Sequence, residues 1–78
     1  MRPKQPKWVA TFPTTTDAMA MERLCEARSL PGRLIPLPPI IHAECGMCWA
    51  APPEAEEALR GAMEEAGVRC AGAYTLLL

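Results

Sequence analysis

Seventy-eight residues, half of them apolar, make one small domain near the size at which a single hydrophobic core supports itself. Thirteen of the apolar residues are alanine, so the core is thin; a large substrate cleft and a multi-domain enzyme are excluded. Eight basic against nine acidic residues give a net charge of −1, which argues against bulk nucleic-acid binding.

The basic start Met1-Arg2-Pro3-Lys4 is followed by no apolar signal-peptide run. The longest stretch free of charged residues, Leu34 to Ala43, is ten residues long. A bilayer crossing takes roughly 18–20. The chain is therefore expected to avoid membranes and to lie in the cytoplasm, with its four cysteines mostly reduced.

Met1 to Pro6 reads as a disordered leader, and residues 7–78 as a single domain. Lys7 to Phe12 is rich in strand formers and ends at Pro13. Thr14-Thr15-Thr16-Asp17 then offers several N-caps, and from Thr16 to Arg28 the apolar residues gather on one half of a helical wheel. Pro31-Gly32 is the expected stop. Arg33 to Leu37 reads as a second strand, and Pro36 places it on a sheet edge, since proline donates nothing to a ladder. A proline-led connection follows, then a third strand at Gly46 to Ala50. Pro52-Pro53-Glu54 opens the clearest helix, which closes at Gly67, and Val68 to Leu78 supplies a last strand. The order β-α-β-β-α-β predicts an α+β, ferredoxin-like split sandwich. It has a four-stranded antiparallel sheet, order 4-1-3-2, with two helices on one face.

That topology brings the connection before the third strand to the sheet end where the first helix begins. Cys45 is then expected as an accessible thiol beside the N-terminal amides of Thr14, Thr15, Thr16 and Asp17, which favour an anion. A thiolate there is the nucleophilic form, and Gly46 leaves room for a partner to approach. Cys25, on the apolar helix face, reads as core. Cys48 completes a Cys-x-x-Cys, but in an extended segment the two Cα atoms stand about 10 Å apart, beyond disulfide reach. Cys48, if Cys45 is still in the turn, and Cys70 are the candidate second thiols; Cys70 otherwise reads as a buried strand residue. His42, Cys45 and Cys48 offer a compact metal triplet that lacks the second ligand pair of a structural zinc site. Trp8 and Trp49 either build the core or fill the open sheet face; in the second case they favour a homodimer. No phosphate loop and no Ser/His/Asp set is visible, so a conventional hydrolase or transferase is not expected and no cofactor is implied.

The runs Thr11-Phe12-Pro13-Thr14-Thr15-Thr16-Asp17-Ala18-Met19 with Glu22, Leu30-Pro31-Gly32-Arg33-Leu34-Ile35-Pro36-Leu37-Pro38, Cys45-Gly46 and Gly72-x-Tyr74 carry a family resemblance. From about Val9 onward the chain resembles the Se/S (selenium/sulfur) carrier protein-like family of small domains. The resemblance implies that Cys45 holds sulfur or selenium as a persulfide or selenosulfide and hands it from a donor protein to an acceptor. Two positions depart from the family pattern: Pro39 stands where a base is usual, and His42 where a small hydroxyl residue is. Cys48 lies outside the pattern. The rival readings are a non-enzymatic module that binds a small ligand or a protein, and a small zinc site at His42, Cys45 and Cys48.

Overall fold

In the computed structural model, which describes residues 3–42 and 45–78, strand β1 (Pro6–Thr11) leads into helix α1 (Thr15–Arg28) through Phe12, Pro13 and Thr14. Thr14 is the N-cap: its Oγ1 accepts from the Asp17 backbone N–H at 3.1 Å, satisfying one amide that the helix leaves unpaired. α1 ends at Arg28, four residues before Gly32, because Ser29 itself takes the left-handed conformation and the Leu30 N–H closes onto the Cys25 carbonyl at 2.9 Å. Gly32 has a different task. At φ +114° it lies so close to Trp49 that a Cβ would stand 2.3 Å from the indole nitrogen. That nitrogen donates to the Pro31 carbonyl at 3.2 Å.

Strands β2 (Arg33–Pro36) and β3 (Met47–Ala51) follow. A 3-10 turn, Pro53–Ala55, leads into helix α2 (Glu56–Ala66), and β4 (Gly72–Leu77) completes the chain. Gly67 ends α2 at φ 72°, as its position predicts. β4 is shorter than the expected Val68 to Leu78, because Arg69 turns toward α1 and Cys70 bonds back to the Gly72 carbonyl.

The four strands form one antiparallel sheet in the order β2-β3-β1-β4, which from the opposite edge reads 4-1-3-2. β2 is an edge strand with Pro36 as its last residue, where the missing N–H costs no internal hydrogen bond. β1 begins at Pro6, one residue before the expected start. Gln5 exchanges both backbone hydrogen bonds with Leu78 at 3.0 Å, so the ladder to β4 reaches into the segment expected to be a loose leader. Met1 and Arg2 lie outside the described residues.

Alternation along β1 and β3 sorts the side chains to two faces. Trp8, Ala10, Trp49 and Ala51 join Ala18, Met21 and Cys25 of α1 and Leu59 and Met63 of α2 in the main core, so both helices cover the same face. Both tryptophans are therefore core beneath the helices, and neither contributes to the opposite face. There Val9 and Cys48 are covered by Ile41 from the β2–β3 connection, with Ile35, Leu37, Ala50 and Leu76 around them. Trp8, Phe12, Met21 and Leu59 are the largest fully buried side chains of the main core. Each contributes about 1.5–3 kcal/mol by leaving water.

Candidate functional site

Antiparallel pairing decides which residues meet at one end of the sheet. Thr11 ends β1 opposite Cys48 near the start of β3 and Gly72 at the start of β4, and Pro36 ends β2 opposite Met47. The N-terminus of α1, the Cys45-Gly46 segment and Cys70 accordingly share this end. Gly46 accepts a backbone hydrogen bond from Leu37 at 3.0 Å, which closes the base of the β2–β3 connection. A Cβ on Gly46 would meet nothing within 4 Å, so the space beside it is open. Ala43 and Glu44, within that connection, lie outside the described residues.

Cys45 itself departs from expectation. It is only 3% exposed and belongs to the main core together with Phe12, Ala18 and Met21. The cause is period-two alternation extended back from β3. Trp49 and Met47 face the helices, and Cys45 falls on the same side, in the buried cluster that also holds Phe12. A donor approaching from solvent does not meet this sulfur in the conformation described. Cys48 points the other way. It is fully buried against Val9 and Ile41, so the two sulfurs of the Cys-x-x-Cys lie in separate clusters on opposite faces. Both thiols are free. Burial, and secondarily the neighbouring Cys45, push the Cys48 thiol up to about 11. Burial likewise raises Cys25, which sits in the core as its place on the helix wheel predicts.

The electropositive tip of α1 is occupied by the protein's own groups. The Thr14 hydroxyl donates to the Asp17 carboxylate at 2.6 Å, and Arg69 grips the same carboxylate with Nε at 3.3 Å and a terminal nitrogen at 3.0 Å. The Thr14 hydroxyl first, then the Arg69 guanidinium, holds the Asp17 carboxyl below its ordinary value of 3.8. Two amides of this turn are spent inside the cap: Asp17 N–H on Thr14 Oγ1, and Ala18 N–H on the Thr14 carbonyl at 3.2 Å. Thr15 and Thr16 are exposed. A helix end already answered by an aspartate favours a further anion less than a bare one does.

The metal triplet does not assemble. His42 is exposed while Cys45 and Cys48 are buried in different clusters, and among the described residues no three His, Cys, Asp or Glu side chains converge to hold an ion.

Cys70 is the exposed thiol among the four, its Sγ donating to the Gly72 carbonyl at 3.1 Å. It lines a cleft of about 300 Å³ together with Trp8, Arg60, Met63, Glu64 and Val68. Neither this cleft nor the Asp17–Arg69 pair is foreseen from the sequence. Arg69 and Asp17 are 52 residues apart, and only the shared sheet end joins them.

Residues 7–75 match the family model described as "Putative Se/S carrier protein-like". The chain belongs to this family. No curated protein and no solved structure matches it. Within this Se/S carrier-like domain the matched span contains all four cysteines, the α1 cap and the whole β2–β3 connection. No helix among the described residues is long and apolar enough to cross a membrane.

Proposed function

We propose that the chain is a cytoplasmic sulfur or selenium carrier of ferredoxin-like fold, holding its cargo on Cys45 and passing it between a donor and an acceptor protein. The family match over residues 7–75 carries this reading. The common sheet end of Cys45-Gly46 and the α1 N-terminus supports it. Loading is a thiol exchange. The Cys45 thiolate attacks the outer sulfur of a donor persulfide, the donor's S–S bond breaks, and the donor thiolate leaves and takes up the proton that Cys45 lost. Burial adds a condition: the segment carrying Cys45 must first leave the core it shares with Phe12, Ala18 and Met21 before a donor reaches the sulfur. Between visits the same burial shields the loaded sulfur from stray oxidants and small thiols.

A second reading has its own observation. Cys70 is the thiol that solvent already reaches, so exchange there needs no opening.

Incubation with a cysteine desulfurase and cysteine, followed by intact-mass measurement, separates the two. One extra sulfur lost in Cys45→Ser and kept in Cys70→Ser supports the first reading. The reverse pattern supports the second. Equal labelling of all four thiols, or none, overturns carriage by a dedicated cysteine.

A further inference from the structure

The two edges of the sheet are built differently. Leu37 donates to the Gly46 carbonyl, so by alternation Arg33 and Ile35 bond to β3 while Leu34 and Pro36 turn their backbone groups outward. Pro36 has no N–H to offer, and the exposed Arg33 puts a charge on the same short strand. Both devices discourage a further strand from pairing there.

β4 carries neither device. Its sequence, Gly-Ala-Tyr-Thr-Leu-Leu, has no charge and no proline. Gln5 and Leu78 exchange both backbone bonds, so by the same alternation Leu76 and Tyr74 bond to β1, and Ala73, Thr75 and Leu77 turn N–H and C=O outward. β1 is the one neighbour of β4 in the sheet, and no partner for these outward groups is found among the described residues. What satisfies such a row of alternating donors and acceptors is another extended strand.

The side chains say which strand. We propose that β4 pairs antiparallel with β4 of a second copy of the chain, about a two-fold axis at Thr75. Thr75 then faces its own counterpart and Ala73 faces Leu77, each pair exchanging two backbone hydrogen bonds. Between them Tyr74 faces Leu76, and at the ends Gly72 faces Leu78. Small residues oppose leucines, an aromatic ring opposes an aliphatic chain, threonine opposes threonine, and no like charges meet. Sliding the strands by two residues sets Tyr74 against Tyr74 or Leu76 against Leu76, and leaves Leu77 or Ala73 without a counterpart in β4. Tyr74 and Leu77, 43% and 63% exposed in one copy, gain cover from the pairing. Because the β2 edge is guarded, the assembly closes at two copies instead of growing into a fibre. No sulfur takes part, so this interface is independent of the carrier reading.

A strand ladder with few side chains is a narrow interface, and a dissociation constant on the order of 10–100 μM is expected. Sedimentation equilibrium, with a phosphine reductant keeping Cys70 from cross-linking, should show the mean mass climbing from one chain toward two between about 1 μM and 1 mM. Thr75→Pro removes an outward N–H that β1 does not use. It should weaken the dimer at least about tenfold while far-UV circular dichroism remains native. Thr75→Lys should do the same by setting two ammonium groups face to face at the axis, as should Thr75→Glu with two carboxylates. Mixing the Thr75→Lys and Thr75→Glu chains in equal amounts should restore a dimer of wild-type strength, since opposite charges then meet. A single chain throughout at 1 mM, masses beyond two chains, a dimer indifferent to the Thr75 variants, or no restoration on mixing would each overturn the proposal.

Discussion

Cys45 and Cys70 stand at the same end of one sheet, each in a connection leading to a strand, yet their circumstances are opposite. Cys45 falls in register with Trp49 and Met47 and is drawn into the core shared with Phe12 and α1. Cys70 comes after Arg69, whose side chain reaches the Asp17 carboxylate, and the turn this creates leaves the thiol in solvent, tied only to the Gly72 carbonyl. The lesson concerns what exposes a cysteine: phase relative to the pleat decides more than residence in a loop.

The largest expected effect tests that contrast directly. A neutral alkylating reagent at pH 8 should modify Cys70 roughly a hundredfold faster than Cys25, Cys45 or Cys48, since the buried three react only after local opening. Time-resolved peptide mass mapping reads this, and Cys45 keeping pace with Cys70 would break the comparison. Next come stabilities. Cys45→Ser places a hydroxyl in the apolar cluster and should cost about 1–3 kcal/mol in urea unfolding. Cys70→Ser should stay within about 0.5 kcal/mol. Gly32→Ala provides a positive control on the same scale, because the added carbon collides with Trp49 at a left-handed φ; a loss of about 1–3 kcal/mol is expected.

Alkaline titration sharpens the buried side of the comparison. Cys48 sits at about 11 when folded, against an ordinary 9.0. Its contribution is therefore complete below pH 9 and drains away as pH rises toward 11. Cys48→Ala should flatten that part of the stability curve by roughly 2 kcal/mol, as followed by urea unfolding between pH 8 and pH 11. The smallest effect lies at the acid end. Asp17 is held below 3.8, so its pairing with Thr14 and Arg69 stabilises above that pH and is lost as the carboxyl protonates below it. Asp17→Asn should remove this dependence, as followed by chemical unfolding between pH 5 and pH 2.

Much of the frame is legible from local chemistry. Pro13, the threonine-rich cap, Pro36, the Pro52-Pro53 pair and Gly67 mark the boundaries of elements, and helix periodicity picks out Met21, Cys25, Leu59 and Met63 as buried. The strand order follows from those elements and the handedness of crossovers. The site is less legible, because its determinants are distant in sequence. Around Cys45, His42 and Gly46 are exposed, and the buried cluster it joins draws on Phe12, Ala18 and Met21, far earlier in the chain. Nothing near Asp17 announces Arg69, and nothing near Cys70 announces that the Trp8 indole N–H lacks a partner among the described residues. Ser29 taking the helix-ending conformation is likewise invisible, since glycine or asparagine is the usual choice there.

The pairing of Gln5 with Leu78 has a practical corollary. Both extremities of the described chain emerge side by side at the foot of the sheet, and the sulfur-bearing end is at its head. A tag, tether or neighbouring module fused at either extremity would leave from that foot. Within one copy, visitors would still find Cys70 and the Cys45-Gly46 segment unobstructed.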